Sequence, residues 1–148
     1  MVVIAGSLIV KNGKILMVKE AKKKCYGKWN FPAGHVEENE LITDAAIREA
    51  FEETGCRVKL TGVLPISTVY SKENETAIIV KFTADIIEEN IKFDTKEILD
   101  VQWLELEKVK NMSAEELRGY DTALSDIKNF EEKKIYPLDI FDNTKYTR

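Results

Sequence analysis

Hydrophobic and polar positions along this chain fall into stretches of two different periods. Val2 to Val10 is rich in β-branched residues, and Ile15 to Lys19 continues in kind after Lys11-Asn12-Gly13-Lys14. Asn-Gly between apolar runs is the strongest short hairpin signal, so a β-hairpin is expected to open the fold. Glu20 to Lys28 reads as a lysine-bearing loop, and Trp29 and Phe31 alternate in a short strand. Pro32-Ala33-Gly34-His35 is then a turn segment whose glycine lets backbone approach a ligand closely. A helical period follows. At roughly 100° per residue, Ala46, Ile47, Ala50, Phe51 and Thr54 share a face to be buried, and Glu49, Glu52 and Glu53 crowd the opposite one. Thr43 is the expected N-cap, Asp44 suits the first turn, and Gly55 stands where a helix ends in the left-handed conformation.

Beyond the helix, Arg57 to Tyr70 and Thr76 to Ile87 read as two strands around the polar loop Ser71-Lys72-Glu73-Asn74-Glu75, with Pro65 marking an edge or a bend. Ile98 to Leu104 alternates as a further strand with Trp103 near its end. Ser113-Ala114-Glu115-Glu116 spells a capping box, and Leu117, Tyr120, Leu124 and Ile127 follow at helical spacing. The tail from Glu131, with Tyr136-Pro137, is expected to dock loosely or fray. Strands interrupted by one helix and closed by another predict an α/β (α+β) fold, a mixed β-sheet sandwiched between helices.

Length supports one domain over residues 1–148, with 130–148 as its C-terminal tail. Hydrophobic residues at 44% and charged residues at 32% describe an ordinary globular chain and exclude a disordered or fibrous one. A net charge of −4 gives no general attraction for a nucleic-acid duplex or an anionic membrane. Cys25 and Cys56 are too few for a disulfide framework, so a reduced, cytoplasmic setting is expected. No apolar window reaches the 18 residues of a membrane span, and no charged leader precedes a long apolar run.

The acids on the helix change the picture. Like charges at i,i+3 and i,i+4 repel by about 0.2–0.5 kcal/mol per pair, so a face carrying Glu49, Glu52 and Glu53 calls for a cation. Clustered hard oxygens suit magnesium or manganese, and the alternating Asp/Asn spacing of a calcium-binding EF-hand is absent. His35 has no Cys or His companions for a zinc site and is either a loop residue beside the metal or an ordinary one. Lys22, Lys23 and Lys24 either attract phosphate or form a solvated loop, and Trp29 and Phe31 either stack on a base or pack.

As a pattern, these residues are Gly34, five residues, Glu40, seven residues, then Arg48-Glu49-Ala50-Phe51-Glu52-Glu53-Thr54-Gly55-Cys56. This resembles the signature of the Nudix hydrolases. Gly34, Glu40, Arg48, Glu49, Glu52, Glu53 and Gly55 fill its seven fixed positions, while Ala50 and Cys56 are small for its aliphatic ones. The resemblance implies a Nudix αβα sandwich over about residues 1 to 130, and metal-assisted attack of water on a diphosphate linked to another moiety. By position, Glu49, Glu52 and Glu53 would bind Mg2+ or Mn2+ with a backbone carbonyl of Ala33 or Gly34. Arg48 would orient the neighbouring glutamate, Glu40 would tie down the loop, and Gly55 would close the helix. The general base is Glu49, Glu53 or an acid of a later loop, for which Glu97 is the best candidate, with Asp94 behind it.

Trp29 to Glu37 is similar to a branch acting on nucleoside di- and triphosphates and on thiamine-pathway pyrimidine pyrophosphates. Lys28, Trp29, Phe31 and Tyr70 are accordingly the candidate substrate contacts. Pro65 lies nine positions past Cys56, too near for the proline of ADP-ribose enzymes, and Tyr70, fourteen past, is near a tyrosine of dinucleoside-polyphosphate enzymes. Nucleoside triphosphates rank first, dinucleoside polyphosphates second and nucleotide sugars third. The alternative of another class is a non-catalytic module that binds a nucleotide. Family members often form dimers, so a homodimer is among the expected partners.

Overall fold

The computed structural model describes residues 1–70 and 74–144. Ser71, Lys72 and Glu73 of the expected polar loop, and the last four residues of the tail, lie outside the described residues. Strands β1 (Val2–Lys11) and β2 (Lys14–Glu20) form the expected hairpin. Asn12 and Gly13 between them have φ of 52° and 75°, the left-handed pair that a two-residue hairpin turn demands. β3 (Trp29–Asn30) pairs with β2, and β4 (Ala33–His35) pairs with β1. Helix α1 (Ile42–Thr54) leads into β5 (Arg57–Val63), β6 (Ser67–Tyr70), β7 (Thr76–Glu88) and β8 (Ile98–Glu105), then α2 (Leu106–Lys110) and α3 (Tyr120–Glu131).

The eight strands make a mixed sheet. Its main path runs β3-β2-β1-β7-β5, with β4 attached to β1, β6 to β7 and β8 to β2. β1 and β7 run parallel, from Val2 opposite Ala77 to Ile9 opposite Ala84, and the other pairs are antiparallel. Alternation along β1 and β2 sends side chains to two separate cores. Ala5, Ile9, Leu16 and Val18 pack with Ala45, Ala46 and Ala50 of α1. Leu8, Ile15 and Met17 pack with Phe31, Val109, Leu117, Ala123 and Ile127. The sheet is thus sandwiched between α1 on one face and α3 on the other, the predicted layering. No helix among the described residues is long and apolar enough to cross a membrane.

Several local expectations yield to tertiary packing. Pro65 divides the first long strand into β5 and β6, which both pair with β7. Only one limb of the capping box forms, Ser113 N–H and Oγ donating to Glu116 Oε1 at 3.1 and 3.0 Å while Glu116 N–H goes to the Ser113 carbonyl, and the helix begins only at Tyr120. Leu117 is fully buried in the second core, which stabilises by about 1.5–3 kcal/mol and outweighs the roughly 1 kcal/mol of a cap. Trp29 N–H donates to the Glu116 carbonyl and Arg118 N–H to the Trp29 carbonyl, so 116–118 is held as an extended bridge. The short α2 has no counterpart in the sequence pattern.

Thr43 is not the N-cap of α1. The helix starts two residues earlier, after Leu41, and Thr43 is buried within its first turn, its Oγ1 accepting from Asn143 Nδ2 at 3.1 Å. That bond belongs to a docked tail. Tyr136 exchanges backbone hydrogen bonds with Val63 at 2.8 and 2.9 Å, and the Phe141 ring lies 5.3 Å from that of Phe82.

Candidate active site

Helix α1 is rotated from the orientation its apolar periodicity predicts. Thr43, Ala45, Ala46, Ala50, Glu53 and Thr54 are buried, whereas Ile47 and Phe51 stand 38% and 44% exposed. Phe51 instead receives the Arg57 guanidinium over its ring at 4.7 Å. The rotation turns Glu49 and Glu53 toward β4, leaving Glu52 outermost with its side chain 56% exposed. Gly55 closes the helix at φ 80°, its N–H donating to the Phe51 carbonyl.

Arg48 organises the acids. Its Nε and Nη2 grip Glu40 at 2.6 and 2.9 Å, Nη2 also donates to the His35 carbonyl at 3.0 Å, and Nη1 reaches Glu49 at 2.8 Å and Glu52 at 3.2 Å. Glu40 in turn accepts from Glu37 N–H at 3.0 Å, pinning the loop before the helix. The guanidinium bond holds the Glu40 carboxyl below its ordinary pKa, and the Arg48 pKa is raised by the same bond. Glu49 lies against Gly34, where its carboxyl group occupies the space any Cβ would take. Only glycine permits that contact.

Glu53 accepts from Ala33 N–H at 3.0 Å. Its pKa is pushed up to about 8, chiefly by burial, with the Ala33 hydrogen bond pulling it down and the Glu20 and Glu49 charges adding to the rise. Burial also raises Glu49, against the Arg48 bond that lowers it. The three acids lie on neighbouring turns of α1 without meeting at a point. Among the described residues, no three His, Cys, Asp or Glu side chains converge closely enough to hold an ion as they stand. The donor set still fits a hard divalent cation. Glu53 is a desolvated carboxylate with one N–H as its hydrogen-bond donor, and Glu49 and Glu52 compete for a single guanidinium nitrogen.

Other candidates are placed unequally. Phe31 is fully buried in the second core, and Lys81 Nζ lies 4.8 Å from its ring centre, so its role is packing rather than substrate contact. Trp29 is half-buried beneath Lys19 Nζ, and Lys28 Nζ donates to the Ala114 carbonyl at 3.1 Å. Tyr70 is 81% exposed at the end of β6. Glu97 is exposed just before β8, its carbonyl accepting from Ala21 N–H. His35 is exposed on β4.

One cavity adjoins Glu52, and another reaches the site through Ala33, the partner of Glu53. The first, of about 410 Å³, lies beside Phe51, Glu52 and Gly55, closed by Asn90 to Asp94. The second, of about 210 Å³, is lined by Ala33 together with Asn30, Ile79, Lys81, Arg118 and Thr122. Lys81 is neutralised there by Asp126 at 3.0 Å, a pair buried at both ends. The sequence reading missed these polar residues, and it also missed Glu20. Glu20 is not in a loop but ends β2, 1% exposed. One signal existed: Leu16, Val18 and Glu20 lie two residues apart, which puts a carboxylate on the face that carries two core aliphatics.

Comparison with known proteins agrees with this arrangement. A NUDIX domain model matches residues 2–123. A NUDIX hydrolase from Nitrosomonas europaea superposes with a TM-score of 0.84 at 26% identity, over 97% of this chain and 96% of its own. The zebrafish (Danio rerio) protein 8-oxo-dGDP phosphatase NUDT18 is 49% identical over 53 residues, 35% of this chain and 16% of its own length. Human nucleoside diphosphate-linked moiety X motif 6 is 29% identical over 108 residues, 70% of this chain and 34% of its own. The chain therefore spans about a third or less of these two curated relatives. With the fold, the helix of acids and the domain match in agreement, this chain belongs to the Nudix family.

Proposed function

We propose that the chain is a metal-dependent pyrophosphohydrolase that cleaves a phosphoric anhydride in nucleoside di- or triphosphates by attack of water on phosphorus. The observation that carries this reading is the face of α1 where Arg48, clamped by Glu40, holds Glu49 and Glu52 beside the buried Glu53. A polyphosphate repels nucleophiles by its own charge. Magnesium or manganese, held by Glu49, Glu52 and Glu53 with a carbonyl of Ala33 or Gly34, would neutralise that charge and polarise the attacked phosphorus.

The remaining work falls to the chain's own groups. Glu53 Oε1 is engaged by Ala33 N–H, which leaves Oε2 to take the proton of the attacking water. Burial raises the basicity of this carboxyl in the metal-free chain, the direction a general base requires. Lys22, whose charge reaches both Glu49 and Glu53, would draw the polyphosphate toward them. The cavity behind Ala33 is suited to the organic moiety, being apolar with a few convergent polar groups. A nucleotide as that moiety is supported by the names of the relatives, which include an 8-oxo-dGDP phosphatase.

Incubation with a panel of nucleoside di- and triphosphates, dinucleoside polyphosphates and nucleotide sugars, with Mg2+ or Mn2+, tests the reading. Metal-dependent release of phosphate or pyrophosphate is expected, and a panel that stays intact would leave only a nucleotide-binding module. Glu53→Gln is expected to melt no lower than the parent while losing on the order of 10²-fold or more in turnover. Near-parental turnover in that variant would remove Glu53 from the chemistry.

A further inference from the structure

The acid that ends β2 is neither a cation ligand nor a base in the chemistry above, although its charge adds to the raised pKa of Glu53. Glu20 is 1% exposed, and its Oε2 has no hydrogen-bond partner. A buried carboxylate with an oxygen left over is costly, and such a group in a native fold calls for an account. Its other oxygen is engaged. Oε1 accepts from Asn30 Nδ2 at 3.3 Å and from Arg118 Nη1 at 3.5 Å, and both donors line the 210 Å³ cavity behind Ala33.

A carboxylate only accepts hydrogen bonds, so Glu20 decides which way round the Asn30 amide sits, with its NH2 group inward and Oδ1 left over. It also takes one guanidinium nitrogen of Arg118, Nη1, so the remaining N–H donors of that cavity-lining side chain are not used by Glu20. Lys81 is already neutralised by Asp126, which makes Arg118 the donor-rich edge of the cavity. Paired N–H donors of an arginine match two adjacent acceptors, as on the O6/N7 edge of guanine. Adenine offers an N6 amino donor in place of O6.

We propose that Glu20 is a positioning residue that sets Asn30 and Arg118 in this cavity so that an oxo-purine is selected over an amino-purine. The inference rests on reading the chain as a nucleotide hydrolase, and it adds which base the cavity accepts and which buried acid enforces the choice.

The test is the ratio of kcat/KM for dGDP and dADP with Mg2+ in the parent, Glu20→Gln, Glu20→Asp and Arg118→Met. The parent is expected to favour dGDP by about 10-fold or more, the range of one good bidentate base contact. Glu20→Gln, which also donates and so frees the amide to turn, is expected to bring the ratio to within about 3-fold of unity, through KM for dGDP more than through kcat. Glu20→Asp restores part of the preference, and Arg118→Met, a change at a half-exposed side chain, loses it as Glu20→Gln does. A parent that does not discriminate, or a dGDP to dADP ratio unchanged in folded Glu20→Gln whatever happens to kcat on both, overturns the proposal. If Glu20→Gln does not fold, Arg118→Met decides alone. If the parent hydrolyses neither nucleotide, the hydrolase reading is decided separately by the wider substrate panel. Calorimetric binding of dGMP against dAMP then decides this inference: a parental preference for dGMP lost in the variants supports it, and equal affinities sink it.

Discussion

Arg48 carries more of the site's geometry than any other side chain of α1. A planar fork can satisfy the two oxygens of Glu40 while its remaining nitrogens reach Glu49, Glu52 and the His35 carbonyl, which a point charge cannot do. Arg48→Lys is therefore expected to lose about 1–3 kcal/mol in urea denaturation, since Arg48 and Glu40 are both largely covered, together with most of the turnover. Full stability in that variant would show the clamp to be ornamental. The lowered pKa of Glu40 fixes the sign of its linkage. Its stabilisation is present above the unfolded value of 4.5 and is lost as pH falls through the lower folded value, and Arg48→Lys should remove that acid-side loss.

At the scale of the element, α1 is bounded by contacts its own sequence does not contain. Gly55 has φ 80°, and a Cβ there would press on the Asn90 carbonyl and on the Lys92 backbone nitrogen. Lys92 N–H also donates to the Thr54 carbonyl, so the helix end and the loop before β8 are built as one unit. Gly55→Ala is expected to cost about 1–3 kcal/mol of unfolding free energy, more than a glycine cap alone, because strain and overlap add. A thermal melt unchanged from the parent would contradict the overlap. The outward Phe51 and Ile47 follow from the same logic. The helix gives up some apolar burial to bring Glu49 and Glu53 against β4, where Gly34 and the Ala33 N–H receive them.

For the whole molecule, buried acids make stability depend on pH and on cations. Glu53 has its folded pKa raised to about 8, and Glu49 is raised as well. For an acid raised on folding, the protonated form favours the native state. Stability of the metal-free protein should therefore fall as pH rises from about 4.5 toward 8, at up to about 1.4 kcal/mol per pH unit for each such group. Asp126, raised by burial against the pull of Lys81, acts in the same direction from its own lower range. Scanning calorimetry should show Tm declining across that window, and Mg2+ should restore it more at pH 8 than at pH 5.5 by binding the native state. A Tm indifferent to Mg2+ at pH 8 would count against a cation among these acids.

The amino-acid sequence alone determined the hairpin at Asn12-Gly13, the helix of acids between Gly34 and Gly55, and the family those residues mark, because each is a short-range pattern. Turn chemistry and helical spacing act over a few neighbours, where one chain suffices to read them. The tertiary structure alone decided the rotation of α1, the delayed start of α3 around Leu117, and the burial of Phe31 in a core rather than against a substrate. It also decided the cavity whose walls come from β1, β3, β4, β6, β7 and the start of α3. The bonds that fix these features join residues far apart in the chain, Arg118 to Glu20 across 98 positions and Lys81 to Asp126 across 45. No local periodicity records such a pairing. Each exists because two faces of one sheet must be covered at once, and the polar groups caught between the layers take whatever partners the packing brings.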